Sequence, residues 1–390
     1  MKVHKKNRAA GFTIIELMLS MAVTMIILYA GFTAFRDASQ SNQQVTMAAD
    51  MSGNLRAGLD LIQQDLIQAG SGIPNTGIPI PYTSNGSTTT PCNTKTAPQR
   101  PILGSGGTTF AKTGFPVCNS VLPAISPGSM MGPPITAPDA IAGTVLNPNS
   151  ITDEITIIYA DNDSGMDASP VNRPASGSTT ACAGTISVNG QQVNFDTSAG
   201  CFDPAKATTP IGPGDLVMFS NSLGTALQYI SSGSGATFNF SSGDPFGLNA
   251  RTDPNGTILQ LQNAGCTTSA NCWPPTTVTR VWMVTYYLDN VSDPAHVRLI
   301  RQVNMKTPTA VGETLENLQF TYNFIDGLTN PTNQTAVPAG DSESQIRSVN
   351  VYLGARSSYP VRQGSKSIYA RSNLMTQVSL RSMAFVNKYQ

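Results

Sequence analysis

The sequence predicts an α+β fold: one long N-terminal helix packed on an antiparallel β-sheet, with a long loop-rich insertion between the two. Three observations support this prediction. An unbroken apolar and then amphipathic stretch covers residues 12–69, prolines concentrate in residues 71–150, and alternating apolar and polar residues become frequent after residue 151. The 390 residues are enough to bury a sizeable core.

The composition is poor in charge. Asp, Glu, Lys and Arg make up 12% of the residues, against a usual share of roughly 25%, and 23 basic residues balance 23 acidic ones. No long basic run follows the first eight residues, so we expect no nucleic-acid partner. The chain has two histidines, His4 and His296, which are too few for histidine-rich zinc sites. We therefore expect a protein that is not an enzyme.

Residues 12–35 form an apolar stretch with one charged side chain, Glu16. A helix of this length measures about 36 Å and can cross a hydrocarbon core of about 30 Å. Four cations and no acid precede it in residues 1–11, which predicts a cytoplasmic N-terminus and an outward-facing remainder. An ordinary secretory signal fits poorly, because the small residues Ala9, Ala10 and Gly11 precede the apolar stretch instead of following it.

A plain membrane anchor explains this stretch except for Glu16. A carboxylate facing lipid costs on the order of 3 kcal/mol on insertion scales, so it requires a partner. One local partner is available, because Thr13 and Glu16 have the spacing of a capping box at a helix N-terminus. The alternative is a positive charge on another chain.

The segment GFTIIEL, which begins at Gly11 after a short basic leader, resembles the processing motif of type IV prepilins and type II secretion pseudopilins. The resemblance implies that prepilin peptidase cuts between Gly11 and Phe12 and methylates the new amine of Phe12. It also implies a pilin-like fold, and an assembly site in which Glu16 meets the N-terminal amine of a neighbouring subunit.

The helix is expected to continue through residues 36–70 as an amphipathic spine. No proline occurs before Pro74, and Gly70 predicts the end of the helix. An apolar stripe recurs in steps of three and four at Val45, Ala48, Met51, Leu55, Leu59, Ile62 and Leu66. Gly53 and Gly58 each weaken the helix by roughly 1 kcal/mol. Because only a globular domain can bury this stripe, we expect a sheet to pack on it.

Residues 71–150 are predicted to be a surface insertion of turns with a few short strands, in the position where pilin-like folds place a variable loop; a linker is the alternative. Residues 151–390 are predicted to form a β-rich globular head. An Asn-Gly pair at 189–190 predicts a hairpin. Strands are predicted at 151–160, 185–188, 191–195, 215–220, 257–262, 278–288, 297–303, 317–324, 348–353 and 376–383.

The C-terminal half refines the resemblance. Residues 298–301 (RLIR), 311–322 (VGETLENLQFTY) and 346–356 together resemble minor pilins of the PilW type. This implies a low-abundance pilus subunit that primes assembly or forms part of the tip, with other minor pilins, the major pilin and a large tip adhesin as partners. It implies an inner-membrane precursor that contacts lipid through residues 12–35 and later lies in an extracellular pilus. A type II secretion pseudopilin and a membrane-anchored surface adhesin are the alternatives.

Six cysteines follow the apolar stretch, where an oxidising compartment favours disulfides. Six cysteines can pair in 15 ways, and their order along the chain favours neighbours. A zinc site is the alternative, but CxxC spacing and histidines are missing. The expected pairs are Cys92 with Cys118, Cys182 with Cys201, and Cys266 with Cys272.

Asp161, Asp163 and Asp167 follow a predicted strand and are a weak calcium candidate. They occupy relative positions 1, 3 and 7 of a calcium loop, but Gly165 and Met166 stand where such a loop places an acid or Asn and then Gly. A polar turn with Asx hydrogen bonds is the alternative. An enzyme that uses the three aspartates is a further alternative, and no other cofactor is expected.

Overall fold

The computed structural model describes residues 13–81, 121–135, 151–167, 171, 182, 184–207, 209–251, 256–268, 272–363 and 366–383. It confirms the predicted α+β fold, with one long N-terminal helix followed by antiparallel sheets. The predicted leader, the processing residues Gly11 and Phe12, and Cys92 and Cys118 lie outside the described residues.

The helix, α1, spans Ile14–Gln68, and eighteen strands follow it in the described part of the chain. They are β1 Ile78–Pro79, β2 Val121–Leu122, β3 Ile125–Gly128, β4 Glu154–Ala160, β5 Thr185–Ile186, β6 Gln192–Asn194, β7 Leu216–Asn221, β8 Gly224–Tyr229, β9 Ser232–Ser234, β10 Thr237–Asn239, β11 Thr277–Asp289, β12 Arg298–Val303, β13 Thr309–Glu313, β14 Leu315–Phe324, β15 Ile346–Arg356, β16 Val361–Gln363, β17 Lys366–Ile368 and β18 Arg371–Ser379. Short 3-10 helices cover Asn162–Ser164, Pro204–Lys206, Ile258–Leu261 and Glu343–Gln345.

The end of α1 matches the prediction. Ala69 is the C-cap, and Gly70 follows with a φ of +78°, a left-handed conformation that glycine adopts without steric cost. The Gly70 amide donates to the Ile158 carbonyl of β4 at 2.9 Å. The chain therefore leaves the helix directly onto the sheet.

The outer half of α1 packs on the sheets through β4, β13, β15 and β18. The buried part of the predicted stripe begins at Met51 and continues through Leu55, Leu59, Ile62 and Leu66. The prediction was wrong for Val45 and Ala48, which are exposed, Val45 at 65%. These two residues lie on the part of the helix that projects beyond the head.

The main sheet has seven strands, in the order β13-β12-β11-β4-β3, with β7 and β8 attached through β11. The 13-residue strand β11 is its centre, pairing with β4, β7 and β12. A second sheet, β14-β15-β18, aligns Leu318 with Leu353 and Leu353 with Leu374. Both sheets contribute to one core together with α1.

A smaller lobe packs against β7, β8 and β11 of the main sheet around a second core. Its four-stranded sheet, β5-β6-β10-β9, contains the predicted hairpin, in which Ile186 pairs with Val193 across the Asn189–Gly190 turn. Phe195 lies edge to face with Phe238, at a ring-centroid distance of 5.6 Å, and both are buried. Trp273 is buried in the same cluster.

One predicted strand is not a strand in the structure, and part of the predicted surface insertion is buried. Residues 257–262 were predicted to form a strand, but Ile258–Leu261 is a 3-10 helix. Ile258 and Leu261, three residues apart, are both buried, as on one face of a helix. A short apolar run does not distinguish a strand from a helix by its pattern alone. The predicted insertion does contain short strands, but β3 at residues 125–128 is buried and not at the surface, because it pairs with β4 at the edge of the main sheet, where Pro127 can be tolerated.

Candidate assembly site on the N-terminal helix

The N-terminal half of α1 projects from the head as an exposed apolar rod. Between Ile14 and Phe35 the large apolar side chains are 49–81% exposed. The helix is long and apolar enough to cross a membrane, and none of its most apolar window is buried by the rest of the described chain. A soluble monomer rarely exposes so much contiguous apolar surface. This surface therefore requires lipid or other helices around it.

Glu16 lies in the first turn of this rod. Thr13 is the N-cap, and its Oγ1 accepts a hydrogen bond from the Glu16 amide at 3.3 Å. This is one half of the predicted capping box. Within the residues that the structure describes, the Glu16 carboxylate itself has no hydrogen-bond or ion-pair partner. It is exposed and available to a group on another molecule.

The opposite end of the helix is fixed to the head by a buried acid, Asp65, which is 4% exposed. Arg301 of β12 donates to it from Nε at 2.8 Å and from Nη2 at 3.0 Å. The hydroxyls of Tyr159 and Tyr286 donate to the two carboxylate oxygens at 2.8 Å and 2.5 Å. One helical side chain thus joins three strands, β4, β11 and β12.

The two tyrosines and Arg301 of this cluster each keep one protonation state. Burial, reinforced by the charge of Asp65, raises the pKa of both tyrosines above the ordinary value, so they remain neutral donors. Burial lowers the pKa of Arg301, but the hydrogen bond and charge of Asp65 outweigh burial and leave the pKa above its ordinary value. This cluster was not predicted from the sequence. Its one signal was an acid at the border of the apolar stripe, between Ile62 and Leu66.

The calcium candidate is a polar turn in the structure. The Asp161 carboxylate accepts a hydrogen bond from Arg280 Nε at 2.7 Å and another from Arg280 Nη2, and its other oxygen accepts the Asp163 amide at 3.1 Å. In the described ranges, no group of three or more His, Cys, Asp or Glu side chains is placed to hold a metal ion. The structure therefore does not bring Asp161, Asp163 and Asp167 together as metal ligands. The Asp161 carboxylate is bound instead to the buried guanidinium of Arg280.

The structure contains two of the expected disulfides. Cys182 is bonded to Cys201, with their Cα atoms 5.6 Å apart, and Cys266 is bonded to Cys272. Both pairs join neighbouring cysteines, as the order along the chain suggested. Cys266 and Cys272 contribute to the core of the smaller lobe.

Comparison with known proteins gives one family match. The model of the prokaryotic N-terminal methylation motif matches residues 6–28, which include Gly11, Phe12 and Glu16. No curated protein and no solved structure matches the chain. The motif and the exposed apolar helix support a type IV pilin-like or pseudopilin-like protein with a membrane-anchored precursor, and they imply interaction with other pilins and with pilus assembly components.

Proposed function

We propose that this chain is a minor subunit of a type IV pilus, of the PilW type. In this proposal prepilin peptidase cuts between Gly11 and Phe12, and the mature subunit assembles through its N-terminal helix. One observation carries the proposal: the methylation motif at residues 6–28 coincides with an exposed apolar helix whose Glu16 has no partner in the described chain.

The physical argument rests on the cost of an unpaired carboxylate in hydrocarbon. Glu16 is tolerated in a membrane when an opposite charge neutralises it. Cleavage before Phe12 would create such a charge, an N-terminal amine at the same depth in a neighbouring subunit. Pairing between subunits would then favour transfer of the helix from lipid into a helix bundle.

The head supports a low-abundance role. A main sheet, a second sheet and a smaller lobe make it bulky, and a bulky head is easier to place at a filament tip than at every position. The proposed partners are prepilin peptidase, the major pilin, other minor pilins and a large tip adhesin. The precursor would lie in the inner membrane and the mature chain in an extracellular pilus, without enzymatic activity.

Mass spectrometry of sheared surface filaments tests this proposal. We expect a mature chain that begins at a methylated Phe12 and is much less abundant than the main subunit. A mature chain that begins at Met1 would contradict processing. Abundance equal to that of the main subunit would contradict the minor role.

A pair of variants tests the role of Glu16. Glu16→Gln keeps the side-chain shape and removes the charge, so we expect the chain to enter the membrane but to be lost from filaments. Thr13→Ala is the matched control, because it removes the N-cap hydrogen bond and leaves the carboxylate. Equal incorporation of wild type and Glu16→Gln would contradict pairing between subunits.

The methylation motif fits a type II secretion pseudopilin equally well. Deletion of the gene separates the two functions, because a pilus subunit is needed for twitching motility and a pseudopilin for secretion. A membrane-anchored adhesin is separated by Glu16→Ala, which should leave ligand binding by an anchored adhesin intact.

A further inference from the structure

A cleft of about 340 Å³ opens on the main sheet next to the Asp65 cluster. Its walls come from β4, β11, β12 and the first residue of β13, and from the turn between β12 and β13. This volume lies at the lower end of the range of small-ligand pockets. The proposed assembly function does not use this cleft.

Two cations in the wall have unused hydrogen-bond donors. Arg301 directs Nε and Nη2 to Asp65, and its Nη1 has no partner among the described residues. Lys306 contacts the Asp215 carboxylate at 2.6 Å, which leaves two of its three ammonium hydrogens for another acceptor. The side chains of Arg301 and Lys306 are 27% and 39% exposed.

The acids that hold these cations cannot be approached from the cleft. Asp65 and Asp215 are buried, and neither they nor any other described carboxylate lines the cleft wall. The cations are therefore fixed in position from behind and offer donors on the open side. A wall of this kind favours an anion over a cation.

Aromatic rings and threonine hydroxyls complete the lining of the cleft. Tyr159 and Trp282 supply aromatic walls; the Arg280 guanidinium lies 4.3 Å and Lys306 Nζ 5.5 Å from the centroid of the Trp282 ring. The exposed Thr307 and Thr309 add hydroxyls on the rim. Aromatic walls beside several donors suit a ring that has both apolar C–H faces and polar substituents.

We propose that this cleft binds an organic anion in which a carboxylate is carried on a sugar-sized ring, the chemistry of a uronic acid unit in an acidic polysaccharide. The carboxylate would accept hydrogen bonds from Arg301 and Lys306. The ring would lie against the aromatic walls, and its hydroxyls would reach the threonine rim.

The test uses the full chain in detergent micelles and titrates it with glucuronate, with glucose as the neutral control. Calorimetry should give a Kd of about 1 mM for a ligand of this size. Tryptophan fluorescence should change in parallel, because Trp282 lines the cleft. Binding of glucose should be at least about tenfold weaker, since glucose lacks the charge.

Matched variants locate the site. Lys306→Gln removes the charge but can still donate to Asp215, and we expect at least about tenfold weaker glucuronate binding. Lys206→Gln removes an exposed lysine elsewhere and should leave binding unchanged. The double variant Thr307→Val and Thr309→Val leaves both ion pairs intact and should also weaken binding. It therefore tests the site even if Lys306→Gln does not fold.

Three results would overturn the proposal. Glucuronate could fail to bind the wild type at about ten times the expected Kd. N-acetylglutamate could bind as tightly as glucuronate, which would identify a docking site for an acidic protein side chain. Lys206→Gln could weaken binding as much as Lys306→Gln does, which would identify attraction to charge anywhere on the surface.

Discussion

Asp65 and Arg301, 236 positions apart in the sequence, form a two-point ion pair that fixes the helix to the main sheet. Both oxygens of the carboxylate also accept a tyrosine hydroxyl, from Tyr159 and Tyr286. The carboxylate and the two hydroxyls thus satisfy one another beside the apolar core, and Arg301, which is 27% exposed, closes the cluster on the cleft side. A force applied to the projecting helix would reach the head partly through this contact.

Loss of the carboxylate should destabilise the head strongly. Asp65→Ala leaves the Arg301 charge without its partner and two tyrosine hydroxyls without acceptors, and we expect a loss of about 3–5 kcal/mol in the free energy of unfolding. Asp60→Ala, an exposed acid on the same helix, is the control and should change stability by less than about 0.5 kcal/mol. Urea unfolding of the full chain in detergent, followed by tryptophan fluorescence, measures both. Equal stabilities for the two variants would show that the cluster contributes little.

Substitution of alanine for two glycines of α1 should change the stability of the protein differently. A Cβ added at Gly58 would lie 2.7 Å from Cδ2 of the buried Leu299, whereas a Cβ at Gly53 would meet nothing within 4 Å. Gly53→Ala should stabilise the helix by about 1 kcal/mol through helix propensity alone. Gly58→Ala gains the same propensity but forces Leu299 to move, at a cost of about 1–3 kcal/mol, so its net effect should be destabilising or neutral. Thermal unfolding of the two variants side by side is the measurement, and a stabilisation of equal size in both would contradict close packing at Gly58.

Much of the fold was predictable because local signals agreed with tertiary packing. The absence of proline before Pro74 and the glycine at position 70 placed the end of α1 correctly. The Asn189–Gly190 hairpin and the alternation through β14 were also clear, since each strand buries one face. The short strands of the insertion could not be placed from the sequence, because Pro127 argues against a strand at residues 125–128 unless the strand lies at a sheet edge.

The candidate site was predictable only at its membrane end. The motif around Glu16 is contiguous in sequence, so it can be read without knowledge of the fold. The Asp65 cluster and the cleft beside it combine side chains from α1, β4, β11 and β12. These side chains are distant in the sequence, so no local pattern predicts their contact. For Asp161 the sequence suggested oxygen ligands for a metal, but its partner, Arg280, lies 119 residues away.

The two disulfides should differ in their contribution to stability. Cys182 and Cys201 are 19 residues apart, and Cys266 and Cys272 are six apart. The chain-entropy model gives about 3 kcal/mol for the longer loop and about 2 kcal/mol for the shorter one. Double alanine variants of each pair, compared by urea unfolding, should therefore rank in that order. The reverse order would show that packing around Cys272, which is fully buried, outweighs loop closure.

Asp153 should make the head more stable in mild acid. It is buried, and its two carboxylate oxygens accept the amides of Met130 at 2.8 Å and Phe320 at 2.9 Å. Burial raises its pKa from 3.8 to about 6, although the two amide hydrogen bonds act in the opposite direction.

The sign of the effect follows from the difference between the folded and unfolded states. Because the pKa of Asp153 is higher in the folded state, the folded protein binds a proton there more readily than the unfolded chain does. The resulting contribution of Asp153 to the free energy of unfolding is fully present below about pH 4 and is lost as the pH rises through 6. The full difference corresponds to about 3 kcal/mol. In Asp153→Asn this pH dependence should vanish. The free energy of unfolding of the wild type, relative to that of the variant, should therefore increase from pH 7 to pH 4. Asp60→Asn is the control for the charge alone, and a gap that stays constant with pH would show that Asp153 titrates near its ordinary value.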